Sequence, residues 1–239
     1  MNQKLHTWQD KEVEAHWDQV AHLYVQENNK VKYAHDQRFR ESLKHLNVKK
    51  GMKVLNITSR DAEADDYLRQ KTEALIINAE ISFGLIKVAA TLRPQATQVK
   101  IETYAKLPFA SKSFDRILSL ETLEHVANPT NFLRELHRVS KPKTTMVLSC
   151  PPHSAEWPYR VFTTLFGGHG EGPHRFPKPV EVKKLLDFTG WQLLNHFGSV
   201  LIPVGPVWLQ DFGERLIKKY QGSFIANLGI RQFYICQRI

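Results

Sequence analysis

Residues 107–152 read LPFASKSFDRILSLETLEHVANPTNFLRELHRVSKPKTTMVLSCPP, and the fold is decided here. The runs FDRILSL (114–120) and TTMVLSC (144–150) are apolar and have the length of buried strands. Between them, NPTNFLRELHRVS (128–140) repeats apolar residues at three- and four-residue steps, the period of a helix with one face on a core. Strand, helix and strand in so short a space predict one unit of a parallel sheet covered on both faces.

The same rhythm extends outward. KVLNI (53–57), ALIIN (74–78) and QVKIE (98–102) read as strands, and AEADDYLRQ (62–70) and SFGLIKVAATL (82–92) as the helices between them. The first fifty residues predict a helical segment: EVEAHWDQVAHLYVQ (12–26) and HDQRFRESLKHLNV (35–48), the second ended by Gly51. Beyond Cys150 the pattern breaks. Residues 151–179 hold six of the twelve prolines and four of the twelve glycines, so they predict a long insertion rather than a simple crossover. Afterwards VEVKKLLDFTG (180–190) reads as a helix ended by Gly190, WQLLNHFGSV (191–200) as a strand, VWLQDFGERLIKKY (207–220) as an amphipathic helix and RQFYICQRI (231–239) as a final strand.

With 239 residues and 42% hydrophobic composition, one large α/β domain over residues 51–239 is expected, preceded by the helical segment 1–50. No run approaches the roughly 18 to 20 apolar residues of a membrane span, and the polar start lacks a signal-peptide apolar region. A soluble cytoplasmic protein is the expectation. Cys150 and Cys236 lie in strand-like runs and read as small buried hydrophobes. The formal charge of +9 favours anionic surroundings. The basic residues are scattered or paired (Lys49 and Lys50, Lys183 and Lys184, Lys218 and Lys219), and without a recognition motif they do not predict specific nucleic-acid binding.

Leu107-Pro108-Phe109, Ser113-Phe114-Asp115, Leu123-Glu124-His125, Arg134-Glu135-Leu136, Arg138-Val139 and Lys141-Pro142 stand in order. This series resembles the central signature of the class I methyltransferases that use S-adenosylmethionine, in the small-molecule branch often called type 11. HWDQVAHLY (16–24) is similar to the W-x-x-x-A-x-x-Y element that precedes that domain, and PHRFPKPVEVKKLLDFTGW (173–191) to its later aromatic loop and helix. The resemblance implies a Rossmann-like, doubly wound α/β sandwich of seven strands, mostly parallel with an antiparallel last strand. It also implies S-adenosylmethionine as cofactor and methyl transfer to a small-molecule or lipid-like acceptor.

In such a sheet the ligand lies beyond the carboxyl ends of the strands, which selects the loops 58–62, 78–82, 102–107 and 120–125. The family's first strand ends in an acidic residue followed by G-x-G-x-G; here those places hold Asn56, Thr58, Arg60 and Ala62, with Ser59 between. Glycine lets a backbone turn sharply and approach a ligand closely, and none is present. The resemblance places Glu80, followed by Ile81, at the ribose hydroxyls. Thr103, beside Glu102 and Tyr104, stands where an aspartate faces the adenine, and Leu120 closes the fourth strand. Thr58, Ser59 and Arg60 offer hydroxyls and a guanidinium for the cofactor's carboxylate. Asp61, Glu63, Asp65 and Asp66 offer negative charge to its amine and sulfonium, which a fixed cation such as Arg60 would repel. Two readings stand at this point: a working site with a rewritten loop, or a catalytically inactive binding or regulatory partner.

His125, after the fourth strand, is the candidate base or acceptor contact; the alternative is that it orients the helix that follows. In the insertion, His153, His169, Glu171 and His174 lack the helical pairing of H-E-x-x-H, so no metal is expected. Trp157, Tyr159, Phe162, Phe166 and Phe176 suggest a lid over an apolar acceptor pocket, or an aromatic mini-core beneath a loop. Val207, Leu209, Phe212, Leu216 and Ile217 beside Lys218 and Lys219 suggest either peripheral contact with an anionic membrane or an ordinary packed helix. There is no nucleophile elbow or P-loop, and Leu120-Glu121-Thr122 replaces the N/D-P-P-Y/F motif of base methylation.

Overall fold

Seven strands form one sheet in the order β3-β2-β1-β4-β5-β7-β6: β1 Lys53–Ile57, β2 Leu75–Glu80, β3 Thr97–Lys100, β4 Phe114–Leu120, β5 Ser140–Cys150, β6 Trp191–Ser199 and β7 Arg231–Arg238. The computed structural model describes residues 8–70, 72–166 and 172–239, with the side chains of 162–166 outside the description. β1 to β5 pair in parallel, and β7 runs antiparallel to both β5 and β6. The expected reversal is therefore present, with the last strand inserted between the fifth and the sixth.

Side chains alternate across this sheet, and both faces are buried. Leu55, Ile57, Ile117, Met146, Leu148, Tyr234 and Cys236 enter one core, with Trp17, Phe132 and Trp191. Val54, Leu118, Val147, Phe233 and Ile235 enter the other, with Phe39 and Leu68. Both cysteines are buried thiols whose pKa burial pushes well up.

The helices are α1 Asp10–Val20, α2 Tyr24–Lys30, α3 Lys32–Leu46, α4 Glu63–Arg69, α5 Phe83–Leu92, α6 Pro129–Val139, α7 Glu156–Phe166, α8 Pro179–Phe188 and α9 Val207–Lys219. In the helical N-terminus two boundaries differ from the sequence expectation. The first helical run breaks after Val20 into α1 and α2. The next ends at Leu46, where Asn47 takes the left-handed conformation (φ 47°) that closes a helix, four residues before Gly51. Among the described residues no helix is long and apolar enough to cross a membrane.

α1 lies against α5 at close range. A Cβ on Gly84 would stand 2.9 Å from the Ala21 Cβ and 3.3 Å from the Asp18 backbone, so glycine is what permits this approach. Trp17, Ala21 and Tyr24, the three fixed positions of the W-x-x-x-A-x-x-Y element, are all buried in the first core. The helical N-terminus is thus packed into the sheet domain. Its position over the carboxyl ends of β1 to β4 shapes the site.

Candidate cofactor site

Strand order reverses between β1 and β4, the only pair in β1–β5 whose sequence neighbours lie on opposite sides, and ligands of open α/β sheets bind beyond such a switch point. Loop 58–62 follows β1 there. Its backbone is left-handed at alternate residues: Thr58 φ 58°, Arg60 φ 55° and Ala62 φ 62°. These are the three positions at which the resemblance places glycine. For side-chain-bearing residues that conformation costs roughly 1–2 kcal/mol each, so something must hold it.

Glu80 does, from the end of β2. Its Oε2 accepts the Arg60 backbone N–H (2.7 Å), and its Oε1 accepts those of Ile81 (2.9 Å) and Ser82 (3.0 Å). The carboxylate is fully buried. Ser59 N–H adds a bond to the Ala79 carbonyl (3.1 Å), and Ser59 Oγ one to Gln98 Oε1 (3.4 Å). Thr58 Oγ1 donates to the Tyr104 hydroxyl (3.4 Å), which burial pushes well above its ordinary pKa and keeps neutral. Ile81 is buried in the first core and Leu120 in the second.

The remaining first-strand residue is committed elsewhere. Asn56 donates to Asn78 Oδ1 (2.8 Å), and Asn78 donates to Asp65 Oδ1 (2.9 Å). The four carboxylates considered for the sulfonium and amine are likewise engaged within the protein. Asp61 and Asp66 pair with Arg93, Asp65 with Arg69, and Glu63 with His35.

Asp10 and Asp18, which sequence reading missed, and Trp17, read there only as a motif residue, close the site from above. Asp10 Oδ2 accepts from Thr103 Oγ1 (2.6 Å) and Tyr104 N (2.8 Å), while its Oδ1 accepts from Ala127 N (3.1 Å). Asp18 Oδ1 accepts from Ser82 Oγ (2.6 Å) and Gly84 N (2.8 Å). Trp17 presents its ring to the Arg60 guanidinium at 3.7 Å and its edge to His125, with ring centroids 5.8 Å apart. The available signal was the spacing 10, 17 and 18, which puts the three on one face of a helix. Glu102, the alternative to Thr103, is exposed and pairs with Lys100. A cavity of about 340 Å³ opens between Gln9–Lys11 and Glu102–Ala105.

His125 is buried midway along the loop between β4 and α6. A carbonyl only accepts, so the 3.1 Å contact with Pro173 O fixes the proton on Nδ1 and the lone pair on Nε2. Burial first, then the positive field of Arg60, hold its pKa well below the ordinary histidine value. The return of the insertion is stitched onto the same loop: Arg175 N donates to the Glu124 carbonyl (3.0 Å), and Arg175 Nη2 to that of Val126 (2.8 Å). Tyr159, His174 and Phe176 cluster in edge-on and tilted contacts, with centroids 5.1 to 5.8 Å apart, while Trp157 is 75% exposed. His153 is exposed and 3.4 Å from Glu156; His169 and Glu171, and the side chains of Phe162 and Phe166, lie outside the described residues.

The donors and acceptors present fit S-adenosylmethionine. A carboxylate has about four acceptor positions and Glu80 uses three, which leaves one for a ribose hydroxyl. Arg60 Nη1 is buried with no hydrogen-bond partner among the described residues, a donor suited to a carboxylate. Trp17 lies over the Arg60 guanidinium, and Asp10 binds the loops after β3 and β4, so α1 caps this edge.

Residues 55–148 match the model of a methyltransferase domain. A demethylmenaquinone methyltransferase of Renibacterium salmoninarum is 29% identical over 161 residues, 65% of this chain and 65% of that relative's length. A ubiquinone biosynthesis O-methyltransferase of Dinoroseobacter shibae is 26% identical over 179 residues, 70% of each. A solved Thermotoga maritima protein described as an S-adenosylmethionine-dependent methyltransferase, possibly for histamine, superposes over 95% of this chain and 99% of its own with a TM-score of 0.73; at 14% identity this likeness shows the fold. The methyltransferase domain matched at residues 55–148, the curated relatives and the β3-β2-β1-β4-β5-β7-β6 sheet make this chain similar to the class I S-adenosylmethionine-dependent methyltransferases.

Proposed function

We propose that the protein transfers a methyl group from S-adenosylmethionine to a small or lipid-like acceptor, of the quinone kind named for its relatives. The observation that carries this is the left-handed backbone at Thr58, Arg60 and Ala62, tied to Glu80: the path of a cofactor loop is kept at an energetic cost without the glycines that make it easy. The cofactor supplies a methyl already activated on a sulfonium. The residues of the chain then have to bind, align and exclude water. Glu80 holds the ribose, Thr58, Ser59 and Arg60 face the amino-acid end, and Ile81, Thr103, Tyr104 and Leu120 surround the base. His125, neutral with its lone pair on Nε2, takes a proton from an acceptor that must lose one. The insertion at about 151–179 serves as the acceptor lid, since its return segment is bound to the loop that carries His125.

A lipid-like acceptor is supported by α9. Trp208 (68% exposed) and Phe212 (51%) share its outward face with Val207, and Arg215, Lys218 and Lys219 follow in its last turns. An apolar half followed by a basic half suits a helix lying on an anionic membrane. A second reading, an inactive binding or regulatory partner, is favoured by one observation: in this conformation the Arg60 guanidinium and Trp17 occupy the crevice themselves.

Three outcomes are expected. S-adenosylhomocysteine at about 100 times its Kd should stabilise the protein by about 2.7 kcal/mol, read as a rise in Tm, and Glu80→Gln should remove most of that rise; no rise at millimolar ligand supports the second reading instead. With a quinone-like acceptor, His125→Asn should lower kcat about 100-fold, and the wild-type rate should show no inflection near pH 6.5. This sign follows because the lowered pKa of His125 keeps the base form populated there; a fall in rate centred on pH 6.5 would contradict the role. Phosphatidylglycerol vesicles should sediment the protein and phosphatidylcholine vesicles should not, with Trp208→Glu/Phe212→Glu abolishing the effect; equal binding to both lipids, or by the variant, would remove the membrane from the account.

A further inference from the structure

Arg60 is 7% exposed, and among the described residues no carboxylate or other acceptor pairs with its guanidinium. Burying a cation without a counter-charge is costly, and a buried donor left without a partner loses its hydration uncompensated. None of the nearby carboxylates is hydrogen-bonded to its guanidinium: Glu80 binds three backbone N–H groups, Asp61 pairs with Arg93 and Glu63 with His35. The surroundings are aromatic instead: Trp17 faces the guanidinium carbon at 3.7 Å, and Tyr24, Tyr104 and His125 lie within its field. Stacking on an indole fixes the guanidinium while its five N–H donors radiate in its own plane, where they match a carboxylate in bidentate fashion.

Position gives this orphan its meaning. Arg60 follows β1 and His125 follows β4, the two strands that flank the switch point, and Trp17 touches both. The unpaired cation therefore sits in the crevice where ligands of this fold bind. Its backbone adds to the evidence, since a left-handed φ of 55° is one that arginine takes at a cost and glycine would take freely.

We propose that Arg60 is the receptor for a carboxylate carried by the ligand of this crevice, and that Trp17 holds its guanidinium in place until the ligand enters. The carboxylate has two possible sources, the amino-acid end of an adenosyl ligand or the acceptor; the first rests on the transferase reading and the second does not. An unliganded Arg60 is a net cost to the fold, so the neutral Arg60→Met should unfold at a Tm equal to or above that of the wild type. A purely structural arginine would give a lower one.

Titration calorimetry with wild type and Arg60→Gln separates the sources. In the first arm, S-adenosylhomocysteine is compared with its decarboxylated analogue. Wild type should prefer the carboxylate by about 10- to 100-fold, the usual yield of a charge-assisted hydrogen bond, and Arg60→Gln should bind the two alike. In the second arm, benzoate stands for a carboxylate-bearing acceptor, and wild type should bind it while Arg60→Gln does not. Arg60→Lys, which keeps the charge without the fork, should fall between in whichever arm responds. If neither adenosyl compound binds but benzoate binding depends on Arg60, the transferase reading fails and the receptor stands. If both proteins behave alike in both arms, or Arg60→Met lowers the Tm and leaves ligand preference intact, the proposal is overturned.

Discussion

The carboxylate of Glu80 is the point on which the site depends. It sits fully buried at the end of β2 and gathers three backbone N–H groups, one of them from Arg60 in the middle of the loop after β1. Charge-assisted bonds of this kind are worth roughly 1.5–3 kcal/mol each, so the one made to Arg60 offsets about half of what three left-handed, side-chain-bearing residues cost. The turn that glycines would form without assistance is here formed by electrostatic restraint. Everything above it takes its place from that turn, including the stacking of Arg60 on Trp17 and the contact of Thr58 with Tyr104.

The second constraint is α1. Its polar stripe spans the carboxyl edge of the sheet: Asp10 reaches the loops after β3 and β4, Trp17 those after β1 and β4, and Asp18 the loop after β2. One helix thereby ties four loops that are far apart in sequence. α1 also belongs to the first core through Val13, Trp17 and Val20, so the helix that caps the crevice is anchored by apolar packing as well as by hydrogen bonds.

Most of the fold was legible because apolar alternation is a local signal. The runs at 53–57, 114–120 and 144–150 became strands, and the motif residues Glu135 and Arg138 turned out to pair with each other on α6. The insertion was legible from its prolines, though α7 within it was not. The site was legible only in part. Glu80 was singled out because an acidic residue ending a second strand has a known use in the resembled family. The conformation of 58–62 was hidden, since threonine, arginine and alanine carry no preference for left-handed backbone. Asp10 and Asp18 escaped notice for a different reason: their partners lie between 64 and 117 residues away, and no periodicity reports a polar contact over such a separation.

The most direct test of this account is a crystal structure of the protein grown with S-adenosylhomocysteine. The account predicts the nucleoside beside Glu80, with Thr58, Arg60 and Ala62 still left-handed, Glu80 still accepting the Arg60 N–H, and α1 displaced so that Asp10 and Trp17 no longer cover the crevice. A loop refolded out of the left-handed region, or a ligand bound away from Glu80 under an unmoved α1, would contradict it.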